Sequence, residues 1–118
     1  MHAVIDMPIA DPRTCSESQL LERCQDVAQR CGWAAVHFGG NLHKRAWYDA
    51  TGFPDLQLLH PTGLIWFREL KSETGKLTIA QQRWRDLLID AGQIYDVWRP
   101  HDWPDIVQAL SFGKASVV

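Results

Sequence analysis

Apolar residues near the start of the chain recur at the spacing of one helix face. Between Ser16 and Cys31 they stand three, four and seven positions apart and form a single stripe of Leu20, Leu21, Cys24, Val27, Ala28 and Cys31. Serine is a favoured helix N-cap and Gly32 is a common stop signal, so the pattern predicts a helix from Ser16 to about Cys31. Residues 1–13 contain two prolines and little periodicity, which predicts a flexible N-terminal arm.

The patterns that follow predict strands. Residues 33–38 form a short apolar run, interpreted as a buried strand, and residues 39–52 form a polar, glycine-bearing loop. Residues 55–60 and 64–71 are interpreted as the two strands of a hairpin. The connection between them, Pro61-Thr62-Gly63, has the proline and glycine that are typical of a three-residue turn.

A capping box opens a second helix. Thr78 precedes Gln81 by three positions, and the helical pattern continues to about Asp90, before Ala91 and a glycine. Residues 94–98 predict a fourth strand, residues 100–104 a turn, and residues 105–110 a last short helix. The predicted order, α-β-β-β-α-β-α, belongs to the α/β fold class, with a mixed sheet flanked by helices.

Length and composition indicate one globular domain. The chain has 118 residues, so we expect a single domain at residues 14–112 and a short tail at 113–118. A net charge of −2 argues only weakly against nucleic-acid binding, because a local basic patch is still possible. Three cysteines without a C-x-x-C pair, and no secretory segment, lead us to expect reduced thiols and a cytoplasmic protein. No apolar run approaches the length of a membrane span.

The predicted hairpin brings two acidic residues together. With the turn at Pro61-Thr62-Gly63, Asp55 faces Glu69 across the strand pair with Cβ atoms roughly 5 Å apart, and Lys71 projects from the same face. Opposed carboxylates destabilise a sheet unless they are neutralised, and a hard divalent cation such as Mg²⁺ binds carboxylate oxygens. The alternative is a solvated strand end with a Glu–Lys pair. Function is favoured because both hairpin faces are otherwise apolar: Leu56, Leu58, Leu64, Trp66 and Leu70 on one, Leu59, Ile65 and Phe67 on the other.

One further acid lies on the sheet-facing side of the first predicted helix. At about 100° per residue, Glu17 falls within the apolar stripe, whereas Glu22 points to solvent. Glu17 could therefore reach the carboxylates of the hairpin. The alternative is an acid that interacts favourably with the dipole of the helix in its first turn.

These residues resemble a known family. The run Gly52-Phe53-Pro54-Asp55-Leu56, followed by Glu69-Leu70-Lys71-Ser72-Glu73, is similar to the PD-(D/E)xK nuclease signature, and more narrowly to the VRR-NUC domain of small phage and bacterial proteins. Flanking matches extend the resemblance over residues 16–107: Ser16-Glu17, Gly32-Trp33, Gly75-Lys76-Leu77-Thr78, Gln81, Trp84, Ala91-Gly92, Val97-Trp98-Arg99-Pro100 and Asp102-Trp103. A lone P-D or E-x-K is weak, but the whole set in this order is specific.

The resemblance implies a restriction-endonuclease-like core and a phosphodiesterase that depends on Mg²⁺ or Mn²⁺. Asp55 and Glu69 would bind the metal, assisted by the Leu70 backbone carbonyl and Glu17. Lys71 would orient or activate the attacking water and stabilise the developing negative charge. Gln81 matches a helix glutamine with a supporting role beside the catalytic residues.

DNA is the expected partner. Three basic residues in the 39–52 loop, His43, Lys44 and Arg45, are candidates for phosphate contacts, as is Lys76, and the alternative for each is a solvated loop. The histidines have no zinc-ligand spacing, and His37 is interpreted as structural. We expect an endonuclease selective for branched or flapped DNA, similar to Holliday-junction resolvases and homodimeric like them. The alternatives are a non-specific, nicking or restriction-type endonuclease and a catalytically idle DNA-binding module.

Overall fold

The structure is a computed structural model that describes residues 7–38 and 51–115, with side chains as far as residue 111. Its elements are α1 (Glu17–Arg30), β1 (Ala34–His37), β2 (Leu56–Leu59), β3 (Ile65–Leu70), α2 (Ile79–Asp90), β4 (Ile94–Trp98) and α3 (Trp103–Ala115). Short 3₁₀ turns at Pro12–Thr14 and Pro100–Asp102 precede α1 and α3. This order confirms the predicted architecture. No helix in the two described stretches is long and apolar enough to cross a membrane.

Reciprocal capping boxes begin both α1 and α2. The Ser16 hydroxyl accepts a 3.1 Å hydrogen bond from the Gln19 amide, and the Gln19 side chain accepts one of 2.9 Å from the Ser16 amide. Thr78 and Gln81 make the same pair of bonds at 3.1 and 2.8 Å. Each box satisfies two backbone donors that the first turn of a helix leaves unpaired. The predicted starts of both helices are confirmed.

The four strands form one mixed sheet in the order β1-β2-β3-β4. The β1–β2 and β2–β3 pairs are antiparallel, and α2 crosses over so that β4 runs parallel to β3. In the hairpin, Leu56 lies opposite Arg68 and Leu59 lies opposite Ile65. Gly63 takes a φ of +102° in the turn, a conformation that glycine adopts without strain. The predicted turn and register of the hairpin are therefore confirmed.

The main core lies between one face of the sheet and the helices α1 and α3. Alternating residues of the hairpin, among them Leu56, Leu58 and Leu70, pack against the stripe of α1, which includes both Cys24 and Cys31, and against Ile106 and Leu110 of α3. Trp33 is buried here, and its indole N–H donates a 2.9 Å hydrogen bond to the Leu110 carbonyl. Each large side chain that is fully buried stabilises the fold by roughly 1.5–3 kcal/mol.

The opposite face of the sheet is less covered than the sequence predicts. Leu59 and Ile65 are 38% and 44% exposed, so the predicted burial of both hairpin faces is wrong at the turn end. Val36 in β1 is 45% exposed, and the strand predicted as buried at residues 33–38 is an edge strand. The reason is that α2 packs toward β4, which leaves the β1 side of this face without a described helix over it.

The last helix is longer than predicted. It begins at Trp103 instead of residue 105 and continues to Ala115, beyond the predicted end at residue 110. Proline is tolerated in the first turn of a helix, where its missing N–H would have no partner, so Pro104 does not delay the start. Trp103 is buried and donates a 3.1 Å hydrogen bond to the carbonyl of Met7, which also accepts one of 2.7 Å from Arg23. Residues 1–6 of the predicted arm and residues 116–118 of the predicted tail lie outside the described residues.

Candidate active site

Two carboxylates meet at the end of the hairpin that is farthest from its turn. The observed register places Asp55, one residue before β2, opposite Glu69 in β3. One carboxylate oxygen of Asp55 accepts a 3.1 Å hydrogen bond from the Leu70 amide, and its main-chain carbonyl accepts one of 2.8 Å from Phe38. Asp55 and Glu69 are close enough to share a hydrogen bond between their carboxyl groups. The predicted juxtaposition of these two acids is confirmed.

Glu69 is held in a dry environment. Its side chain is 1% exposed, and its Oε2 accepts a 2.9 Å hydrogen bond from the Gln81 side-chain amide. Its Oε1 is buried and has no hydrogen-bond partner among the described residues. Burial, reinforced by the hydrogen bond and the charge of Asp55, raises the pKa of Glu69 from 4.5 to about 9. Without an added positive charge, this carboxyl group therefore stays protonated near neutral pH.

Lys71 is buried beside the two acids. Only 7% of the residue is exposed, which excludes the alternative of a solvated Glu–Lys pair at a strand end. Its backbone amide donates a 3.1 Å hydrogen bond to the Trp98 carbonyl, so the β3–β4 pairing fixes the main chain at this position. The positive charge of Lys71 acts to lower the pKa of Glu69, against the larger effects of burial and Asp55. The lysine is thus placed to act on charge that develops next to the carboxylates.

Glu17 approaches the same centre from the start of α1. It lines a cleft of about 540 Å³ together with Ser16, Ser18, Leu21, His37, Asp55, Leu70 and Ser72. Its charge contributes to the raised pKa of Glu69, although less than any other group that acts on it. Glu17 is exposed to solvent, and it lies on the side of α1 that faces Asp55, as the sequence predicts. The cleft therefore lies between the start of α1, the residue before β2 and the end of β3.

The donor atoms at this centre are those that a hard cation prefers. Asp55 and Glu69 supply carboxylate oxygens, and one oxygen of Glu69 is buried with no partner in the described structure. A bound cation would satisfy that oxygen and allow Glu69 to ionise beside Asp55. In the described parts of the chain, no three side chains of His, Cys, Asp or Glu come together as one metal-binding group. The two carboxylates thus fit a cation site, and Glu17 lines the same cleft without joining them in one group.

Close packing fixes the segment before Asp55 against α2. Gly52 has a φ of +85°, and a Cβ atom added there would lie 2.5 Å from the carbonyl carbon of Ala80 and 2.7 Å from the amide nitrogen of Gln81. Phe53 packs edge-on against Trp84 of α2, with ring centroids 4.8 Å apart. The segment that precedes Asp55 and the helix that contains Gln81 are therefore in direct contact. The glycine is required by both its backbone conformation and the lack of space.

The predicted DNA contacts are only partly within the described structure. Lys76 is exposed in the loop that follows Lys71. His43, Lys44 and Arg45 lie outside the described residues. Sequence reasoning missed His37, which is exposed and lines the cleft with Asp55. The signal that could have found it is the antiparallel order of β1 and β2, which brings the end of one strand beside the start of the next.

Comparison with known proteins identifies the fold. A solved structure described as a VRR_NUC domain is similar to this chain, with a TM-score of 0.62 and 20% sequence identity. The match covers 78% of this chain and 94% of the other. A scan against protein-family models finds no match, and no curated protein matches the sequence. The chain has the fold of a VRR_NUC domain. The structure thus confirms the fold that the sequence motifs predict.

Proposed function

We propose that this chain is a metal-dependent nuclease that hydrolyses phosphodiester bonds of DNA. The observation that carries the proposal is the buried Glu69, which has one oxygen without a partner in the described structure, faces the half-buried Asp55 and has Lys71 buried beside it. A buried acid with an unpaired oxygen and a raised pKa is costly for a fold and is typical of functional sites. The fold shared with a VRR_NUC domain supports the same reaction class.

We propose that Mg²⁺ or Mn²⁺ is the cofactor and that Asp55, Glu69 and the Leu70 carbonyl bind it. Glu17, which lines the same cleft, would be a further ligand through an intervening water. When bound, the cation supplies positive charge that polarises the scissile phosphate and makes water more acidic. The chain itself sets the geometry, because the Leu70 amide orients Asp55 and the Gln81 amide orients Glu69. Such outer hydrogen bonds fix the direction in which a ligand presents its oxygen.

Lys71 has two proposed tasks, both of which follow from a buried positive charge. Its ammonium group can donate hydrogen bonds to a phosphate oxygen as negative charge grows there, an interaction that is stronger in a site shielded from water. It can also orient the attacking water against the phosphorus atom. Both tasks require the side chain to stay in a fixed direction, and the low exposure of Lys71 restricts its movement.

For the substrate, we propose branched or flapped DNA, with cleavage by a homodimer that carries two active sites. Lys76 and the segment with His43, Lys44 and Arg45 are the proposed contacts to the DNA backbone. These contacts would be electrostatic and therefore weaken as salt rises. A nuclease without preference for branches and an idle DNA-binding module are the alternatives that the experiment must separate.

One assay separates these functions. Purified protein is incubated with four-way junctions, flaps, linear duplex and single strands, each with Mg²⁺, Mn²⁺ or EDTA. We expect cleavage with either metal, none with EDTA, and faster cutting of junctions or flaps. Equal rates on every substrate would contradict the preference for branched DNA but would still support nuclease activity. DNA binding without any cleavage would identify an idle module.

A further inference from the structure

We propose that Arg99 is a positioning residue of this site: it holds the loop of residues 72–75 against Lys71 and Glu17. The inference rests on the proposed nuclease function. Arg99 lies immediately after β4, and the loop follows β3 and Lys71. Because β3 and β4 are parallel, both strands end at the same edge of the sheet, and the pairing of Leu70 with Trp98 brings Arg99 level with Lys71.

The side chain of Arg99 donates hydrogen bonds to three carbonyl groups of this loop. A single guanidinium nitrogen donates hydrogen bonds to the carbonyl oxygens of Gly75 at 2.6 Å and Ser72 at 2.8 Å, with a longer contact of 3.4 Å to that of Glu73. Hydrogen bonds with a charged donor are shorter and stronger than those between neutral groups. One cation thus ties both ends of a four-residue turn to the end of β4.

A second layer of hydrogen bonds supports the same attachment. The Glu73 carboxylate accepts a 3.0 Å hydrogen bond from the His101 amide and lies 2.8 Å from the Nδ1 atom of that histidine. The Asp102 carboxylate accepts a 2.9 Å bond from the Arg99 amide and lies 3.1 Å from His101 Nε2. The loop is therefore connected to residues 99–102 through both its main chain and the side chain of Glu73.

The held loop lies next to two residues of the site. A Cβ atom at Gly75 would lie 3.5 Å from the Cδ atom of Lys71 and 3.6 Å from a carboxylate oxygen of Glu17. Gly75 itself is fixed, since its amide donates to the Ser72 hydroxyl at 3.1 Å. The loop therefore forms one wall around the methylene chain of Lys71. Without Arg99, that wall would be free to move, and the direction of the ammonium group would be less defined.

The test uses two variants of Arg99 in the full chain and two readouts. Arg99→Ala removes every contact of the side chain. Arg99→Lys keeps the charge but loses the planar group that reaches several carbonyls. If the alanine variant does not fold, the lysine variant is used alone. The first readout is hydrogen exchange of the Gly75 amide by NMR. The second is the separation of kcat from KM on the DNA that the wild type cuts best. Arg30→Lys, an exposed substitution in the last turn of α1, is the control.

We expect the Gly75 amide to exchange about tenfold faster or more in both variants, while core amides of α1 are unchanged. We expect kcat to fall by about 10- to 100-fold with KM within about twofold, because misdirected groups slow chemistry more than binding. Millimolar guanidinium should restore part of the kcat of Arg99→Ala and none of the kcat of Lys71→Ala. Arg30→Lys should match the wild type in both readouts.

Two results would overturn the inference. Unchanged exchange at Gly75 in Arg99→Lys would show that Arg99 does not hold the loop. Faster exchange with an unchanged kcat would show that holding the loop does not serve the site. A wild-type chain that cuts no DNA would contradict the proposed function. That result does not depend on any Arg99 variant.

Discussion

The side chain of Gln81 accepts one hydrogen bond and donates another, and the one that it donates reaches Glu69. Its carbonyl oxygen accepts a 2.8 Å bond from the Thr78 amide and closes the capping box, while its amide nitrogen donates a 2.9 Å bond to the Glu69 carboxylate. The start of α2 is therefore directly connected to the acid with the raised pKa. A residue that the sequence places at a helix start serves both the fold and the site.

The two roles of Gln81 can be separated by substitution. Gln81→Glu keeps a side-chain oxygen that closes the capping box but replaces the amide donor with an acid beside Glu69. We expect kcat to fall by about 10- to 100-fold with the stability of α2 maintained, as for other groups that orient a metal ligand. Cleavage rates and thermal unfolding of the variant provide the measurement. Gln82→Glu, one position along, is the matched control and should retain its activity. Full activity of Gln81→Glu would contradict the role of the amide.

Substitutions of the two lysines near the site should affect different steps, catalysis for one and DNA binding for the other. Lys71→Met removes a buried charge, and we expect kcat to fall at least about 100-fold while DNA binding persists, because the lost interaction acts on the transition state. Lys76→Met removes an exposed charge, and we expect weaker DNA binding with a smaller salt dependence and little change in kcat. Binding isotherms at several salt concentrations and single-turnover cleavage distinguish the two effects. Equal losses of kcat in both variants would be inconsistent with this assignment.

The raised pKa of Glu69 predicts how the stability of the metal-free protein depends on pH. Glu69 has a pKa of 4.5 when unfolded and about 9 when folded, so between these values the folded state holds a proton that the unfolded state has lost. Its contribution to stability is therefore complete below about pH 4.5 and decreases as pH rises toward about 9. Denaturant unfolding with EDTA across this range measures the effect.

A neutral replacement isolates the contribution of this acid. Glu69→Gln cannot ionise, so the metal-free variant should lose much less stability than the wild type as pH rises toward about 9. Glu22→Gln, in an exposed position of α1, should follow the wild-type curve. A metal-free wild type whose stability rises with pH over this range would show that Glu69 is not protonated in the folded state.

The contact between Gly52 and α2 predicts a difference between two glycines. Gly52 and Gly92 have similar φ values, +85° and +80°, but a Cβ atom collides with the main chain of Ala80 and Gln81 only at Gly52. Both alanine variants should lose stability from backbone strain, about 1–3 kcal/mol. Gly52→Ala should lose a further 1–3 kcal/mol, roughly, from overpacking, and its kcat should also fall because Gln81 is displaced. Equal stability and activity in the two variants would show that the close approach at Gly52 has no effect.

The hairpin and its acids could be predicted because the pattern there is local. A glycine-containing turn at residues 61–63 fixes the register, and a period of two fixes the faces, so the opposition of Asp55 and Glu69 follows without any distant contact. The capping boxes at Ser16 and Thr78 are equally local. Each depends on residues three positions apart, a spacing that is visible in the sequence.

The features that the sequence did not reveal depend on contacts between distant elements. The exposure of Leu59 and Ile65 depends on where α2 crosses the sheet, which the hairpin pattern cannot indicate. The place of His37 in the cleft depends on β1 being an edge strand next to β2. The bonds from Arg99 to the loop depend on the parallel pairing of β3 with β4, two strands that α2 separates in the chain. Pairing of this kind is set by the whole fold.

Asp55 and Glu69 are proposed to bind one divalent cation together, and titration calorimetry with Mn²⁺ measures that binding. The wild type should show saturable binding that becomes tighter as pH rises, since the proton on Glu69 must leave before the metal binds. Asp55→Asn should bind at least about tenfold more weakly, and Asp96→Asn, an exposed acid in β4, should bind as the wild type does. A wild type without saturable Mn²⁺ binding, or an Asp55→Asn variant with unchanged affinity, would show that the two acids do not form a metal site.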